Sequence, residues 1–192
     1  MTSLKKLLLF VTLPLYVLDQ WTKWWVVGRF PEPLRGEFSS YEHIPVIEGY
    51  FNLVRVHNQG VAFGIGNGTT WAPVVFMVVP FIAMIMLRVF WKLGVFSNKT
   101  SRVAVALLIT GIFGNFTDRL FQGSHLSYMA DASFWERLRA GYVVDFLDVM
   151  IPLVNYRWPS FNVADSCVCV AAVLLFVGGI LDEKAKKKTA AA

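Results

Sequence analysis

The sequence predicts an all-α membrane protein with four transmembrane helices, both termini in the cytoplasm, and a small sheet and a short interfacial helix outside. Three observations carry this. Of 192 residues only 16% are charged and 56% are apolar, whereas an average soluble domain carries roughly 25% charged residues. Four apolar blocks approach the roughly 20 residues of helix that cross a hydrocarbon core. Lys and Arg segregate between the blocks as basic residues do on the cytoplasmic side of short loops. With a mean hydropathy of +0.53, the chain has too little polar surface for a cytosolic enzyme or a disordered tail. The net charge of +5 does not indicate nucleic acid, because the charges lie between apolar blocks and not on one solvated face.

The first span runs from about Leu7 to Val27. Lys5 and Lys6 precede it as in a secretory signal, but the apolar stretch continues through Trp21, Trp24 and Trp25 with no small-x-small cleavage pattern, so it reads as retained. The external segment 28–71 opens on turn-prone Pro31-Glu32-Pro33 and becomes strand-like from Tyr50 to Val56; glycines 60, 64, 66 and 68 permit sharp turns. A small sheet resting on the outer leaflet is expected there. Spans follow at about 72–91 and 103–121. In the second external segment, 122–160, Ser133 and Glu136 form a capping box and Gly141 supplies a stop. The short helix between them offers Phe134, Trp135 and Leu138 to the lipid interface. The fourth span covers about 161–181.

One face collects Lys5, Lys6, Arg88, Lys92, Lys99, Arg102, Lys184, Lys186, Lys187 and Lys188. The other holds Arg29, Arg35, Arg55, Arg119, Arg137, Arg139 and Arg157, with all three histidines and nearly every acid. The first face is read as cytoplasmic.

Ionisable groups within spans cost several kcal/mol and are functional suspects. Asp19 and Lys23, four apart, can pair on one helix face, which reads as structural. Adjacent Asp118 and Arg119 point about 100° apart and need different partners; they too read as structural, and Asn115 lies near them. Asp165 has no basic residue within a turn or two on its own helix and lies about 6 Å below the helix start. Asp145 meets the same outer boundary from the preceding segment, among Val143, Val144, Phe146 and Leu147, with Asp148 three residues on. Two carboxylates at an apolar, partly wet rim do not both ionise readily. Such a pair can activate water and protonate a leaving amine. Nucleophilic alternatives are weaker. Ser160 and Ser166 have no histidine nearby in sequence, leaving His43, His57 and His125 to approach in space, and Cys167 and Cys169 lie deeper in lipid, facing different ways. No zinc spacing or glycine-rich phosphate loop appears, so no metal or cofactor is expected.

The motifs together resemble the lipoprotein signal peptidases, also called signal peptidase II. They are Asp19-Gln20-Trp21-Thr22-Lys23; Asn58-Gln59-Gly60-Val61-Ala62-Phe63-Gly64; Gly111-Ile112-Phe113-Gly114-Asn115-Phe116-Thr117-Asp118-Arg119; Val143-Val144-Asp145-Phe146; and Phe161-Asn162-Val163-Ala164-Asp165-Ser166. The resemblance spans nearly the whole chain and implies one integral-membrane peptidase domain, 1–192. It implies a bacterial inner-membrane aspartic endopeptidase that removes the signal peptide of a prolipoprotein just before its diacylglyceryl-modified cysteine. Its dyad maps to Asp145 and Asp165, and Asn58, Gly60, Asn115, Asp118, Arg119, Asn162 and Ala164 map to positions that line or brace the site. Asp19 and Lys23 map to structural polar positions. The first external segment resembles the family's β-cradle, and the implied partners are the lipidated precursor, membrane lipid and the inhibitor globomycin, with no nucleic acid.

Arg119 and Asn115 are expected to hold the dyad or the substrate backbone by hydrogen bonds. The stretch from Arg119 to Val143 is longer than in compact members of the family. Two other classes predict different behaviour. A proton- or ion-coupled carrier would use Asp19, Lys23 and Asp118 as a relay, although the chain lacks the repeated halves of such proteins. A non-catalytic assembly factor would work without either dyad aspartate.

Overall fold

The computed structural model describes residues 3–60, 66, 68, 69 and 71–190; Val61 to Gly64, the second half of one motif and the seat of one expected glycine turn, lie outside them. The N-terminal helix starts as α1 (Leu4–Leu7), widens into a π segment (Leu8–Thr12) and continues as α2 (Leu13–Arg29). Pro14 lacks the N–H that would continue the ladder, and the wide turn lies immediately before it. Thr12 pins the widened turn by donating to Ala106 O at 2.8 Å.

Among the described residues three helices are long and apolar enough to cross a membrane: α3 (Ala72–Lys92), α4 (Lys99–Phe121) and, last in the chain, α6 (Val163–Ala190). The N-terminal helix is not one of them. The short α5 (Phe134–Arg139) precedes the second strand pair. Half of the apolar window of α4 is buried inside the protein and none of that of α3, so α4 is the hub and α3 a peripheral helix. Small residues let the hub approach its neighbours closely, as in membrane bundles. A Cβ on Gly114 would lie 2.6 Å from Asp19 Oδ2 and 2.8 Å from Ala164 Cβ, and one on Gly111 would collide with Val168 and Ala164 O. At the opposite end from the sheet, Asn98 caps α4 and donates to Gly178 O, tying the α3–α4 turn to α6.

The sheet departs from expectation. It has four antiparallel strands in the order β1 (Ser39–Ile47), β2 (Phe51–Asn58), β3 (Val143–Ile151) and β4 (Tyr156–Phe161), so segments 28–71 and 122–160 both build it and the protein is not all-α. The β1–β2 turn contains Gly49 at φ +75°, and the β3–β4 turn places Asn155 at φ +47°. Pairing of Asn58 with Val143 and of Val56 with Asp145 brings the end of β2 beside the start of β3. Val26 and Phe30 from the end of α2 pack with Tyr142, Val144 and Phe146 in one buried cluster. Each large apolar side chain so buried contributes about 1.5–3 kcal/mol, which seats the sheet on the bundle. Arg55 reinforces the joint by donating to the carbonyls of Val27 and Phe30 at the helix C-terminus.

The capping box of α5 is present, with Ser133 and Glu136 bonded reciprocally. The helix ends at Arg139 with Ala140 as its cap, so Gly141 follows as the expected stop, without a positive φ. Its lack of a side chain serves close packing: a Cβ there would strike Arg119 O. Phe134 and Trp135 are exposed and Leu138 is half-buried.

Candidate active site

The site forms where β2, β3, α4 and the start of α6 converge, and Asn162 is its keystone. It caps α6, accepting from Asp165 N at 2.9 Å, while Asp165 Oδ2 accepts from Asn162 N at 3.2 Å. This reciprocal pair, an Asn–Asp variant of the capping box, fixes Asp165 in the first turn. The remaining amide hydrogens of Asn162 reach Asp145 Oδ1 at 2.7 Å and Asn115 Oδ1 at 3.2 Å. A single residue thus addresses both carboxylates, Asp145 through its side-chain amide and Asp165 through its backbone N–H.

Each aspartate has one further amide donor: Asn115 Nδ2 donates to Asp165 Oδ1 at 2.7 Å, and Asn58 Nδ2 to Asp145 Oδ2 at 3.0 Å. Asn58 is itself held, its Oδ1 accepting from Gly60 N. Arg119 donates to the carbonyls of Gln59 at 3.2 Å and Gly60 at 2.5 Å and lies over the Phe76 ring. Sequence reasoning expected Arg119 on the dyad or the substrate; its hydrogen bonds go instead to the backbone that positions Asn58. Asp145 is buried and Asp165 half-buried. Burial, and then the neighbouring Asp165 charge, push the Asp145 carboxyl well above the usual carboxylate range.

Beneath lies a closed polar network. Lys23 Nζ is 2.9 Å from Asp19 Oδ2, 3.0 Å from Asp118 Oδ2 and 3.1 Å from Asn115 Oδ1. Asp118 also accepts from Val144 N at 3.0 Å, locking β3 onto α4 one residue before Asp145. Asp19 Oδ1 accepts from Ala164 N at 2.8 Å, which sets the start of α6. Ala164 is fully buried. The expected Asp19–Lys23 pair and the separate partners of Asp118 and Arg119 are therefore present. Sequence reasoning gave no role to Gln20, whose amide joins Asp19, Gly114 O and Asp118; an uncharged polar residue within a span was the available signal.

Other candidates are engaged elsewhere. Asp148 pairs with Arg157 at 2.7 Å and accepts from Asn52. His57 stacks on Tyr142 at 3.6 Å and accepts from Arg55 Nε; burial and then the Arg55 charge push its pKa down to about 3, so it is neutral. His125 meets Trp24 edge-on, and Ser166 gives its hydroxyl to Asn162 O. Cys167 is buried and Cys169 exposed, facing apart as their spacing requires.

A helical bundle that presents two amide-braced aspartates at its rim defines a class, the membrane hydrolases that use paired carboxylates. A solved bacterial membrane enzyme, determined by the in meso method at 2.3 Å resolution, has the same fold: TM-score 0.71 and 25% identity, over 93% of this chain and 90% of that one. The sequence model of signal peptidase II matches residues 11–181, and the chain belongs to that family. The lipoprotein signal peptidase of Halalkalibacterium halodurans is 33% identical over 178 residues, covering 93% of this chain and 94% of the relative. That of Bacillus pumilus is 33% identical over 172 residues, covering 90% and 91%.

Proposed function

We propose that Asp145 and Asp165 form the catalytic dyad of this family member, an aspartic peptidase that cleaves signal peptides from prolipoproteins. The observation that carries the reading is Asn162, bonded to both carboxylates at once. One aspartate takes a proton from water while the other, protonated, polarises the scissile carbonyl. Water oxygen adds to the carbonyl carbon, the C–N bond breaks, and the acquired proton passes to the leaving amine. The two carboxyls act as a pair, and burial holds that of Asp145 well above the usual carboxylate range. Asn58, Asn115 and Asn162 hold the carboxylates; Gly60, Asp118, Arg119 and Ala164 fix the backbone around them; Asp19 and Lys23 are structural.

In this reading the whole chain is one domain with four spans, the N-terminal helix being the first, and both termini are cytoplasmic in a bacterial inner membrane. The sheet is a cradle on the outer leaflet, and α5 lies in its interface through Phe134 and Trp135. The bond cut is the one before a diacylglyceryl-modified cysteine. Burial of acyl chains is worth about 0.8 kcal/mol per CH₂, so anchoring substrate and enzyme in the same leaflet supports recognition and explains a dyad at the lipid–water boundary. Asp19, Lys23 and Asp118 are bonded to one another, which suits a brace better than a carrier's relay.

The test is a gel-shift assay on the purified protein with a precursor in diacylglyceryl-modified and unmodified forms, with and without globomycin. The lipidated form alone should shift, and globomycin should block the shift. Equal cleavage of the unmodified form, or indifference to globomycin, would count against this substrate and inhibitor assignment.

A further inference from the structure

A cleft whose mouth lies at the end of the bundle remote from the dyad is not used by peptide hydrolysis. This cleft, of about 380 Å³, opens between α3 and the N-terminal helix. Val105 and Ile109 of α4 form its floor, Leu8 one wall, and Met84 and Leu87 the other. Leu8 is the first residue of the π segment, so the helix wall widens where the cleft lies; such segments recur at functional sites. From Val105 to Phe113, which also borders the cleft, the floor extends about 12 Å at 1.5 Å per residue. That is a slot for a chain, not for a compact head.

The mouth is basic. Arg88 and Lys92 line it, and Lys5 and Lys6 are exposed on the same turn as Leu4, another bordering residue. Among the described residues neither Arg88 nor Lys92 is in an ion pair. The acids at this end are engaged: Asp182 accepts from Ser97, and Glu183 pairs with Lys187. Arg102 lies over Trp91 and donates to Phe96 O, so it braces the mouth without neutralising it. In the orientation proposed above this mouth faces the cytoplasm, and an apolar slot beneath unneutralised cations matches a molecule with an apolar tail and an anionic head.

We infer that this cleft is a binding site for an anionic diacyl phospholipid of the cytoplasmic leaflet, one acyl chain lying in the slot and the phosphate meeting Arg88 and Lys92. The site is separate from the substrate's leaflet, and its occupant would wedge α3 against the N-terminal helix.

Native mass spectrometry of the purified full chain, titrated with phosphatidylglycerol or phosphatidylcholine, tests it. Two basic side chains near an anionic group predict a preference for phosphatidylglycerol of about thirtyfold. Arg88→Gln/Lys92→Gln should reduce that ratio to near one, and Arg88→Lys/Lys92→Arg should retain it. Val105→Phe, which fills the floor, should weaken binding of either lipid while leaving peptide cleavage intact as evidence of folding. Equal retention of both lipids by wild type, an unchanged preference in the double Gln variant, or a chain dimer occupying the cleft in place of lipid would overturn the inference.

Discussion

Replacing Asn162 by Asp perturbs the residue that meets both carboxylates, at the side-chain amide that holds Asp145, and leaves its backbone N–H on Asp165. The change is nearly isosteric and keeps an oxygen for Asp165 N–H, now at 2.9 Å, but it exchanges the amide that donates to Asp145 Oδ1 at 2.7 Å for a second acceptor. Losing a hydrogen bond to a charged group costs about 1.5–3 kcal/mol. Two like charges about 4 Å apart repel by about 4 kcal/mol at an effective dielectric of about 20. Proton uptake relieves most of the repulsion, so the expected barrier increase is about 3 kcal/mol, or roughly a hundredfold in kcat/KM. Burial and Asp165 already hold Asp145 high, and a third carboxylate beside it raises it again. The pH–rate bell therefore moves to higher pH. Initial rates of lipidated-precursor cleavage across pH, for Asn162→Asp beside Asn162→Ala, read both effects. The Ala variant removes the amide donor to Asp145 without adding charge and should lose rate with no alkaline shift. An Asp variant within about threefold of wild type and with an unshifted bell would refute the bridging role.

Lys23→Met leaves Asp19 and Asp118 buried without their cation and should cost about 3–5 kcal/mol, read as a lowered melting temperature in detergent; an unchanged Tm contradicts the brace. Gly114→Ala should destabilise by about 1–3 kcal/mol, because its Cβ meets Asp19 and Ala164, and the same melt checks it. Asp145→Asn carries a pH signature. A carboxyl whose folded pKa is raised stabilises fully below its unfolded value of about 3.9 and loses that stability as pH rises through the folded pKa. The Asn variant, which mimics the protonated form, should thus melt above wild type at neutral pH and converge with it near pH 4. Parallel melting curves across that range would contradict the raised pKa.

Much of the bundle is legible from local pattern, because hydropathy over one helix needs no partner: the expected spans at 72–91 and 103–121 differ from α3 and α4 by a few residues. Asp145 and Asp165 stood out for the same reason, as acids without a basic neighbour on their own segment. What escaped depends on pairing across the chain. The stretch Val143–Ile151 reads as an apolar run beside a span, and only its alignment with Phe51–Asn58 makes it a strand. Phe161 looked like the start of the last helix but ends β4, and the helix begins after its Asn162 cap. Likewise nothing near Arg119 in sequence indicates that it holds the carbonyls of Gln59 and Gly60.

The central claim is that Asp145 and Asp165 perform the hydrolysis together. Purified Asp145→Asn and Asp165→Asn, each confirmed as folded by its melting curve, should leave a diacylglyceryl-modified precursor at full length through an incubation that wild type completes. Asp148→Asn, three residues away and paired with Arg157, should still cut it. Release of the signal peptide by either dyad variant would contradict the account.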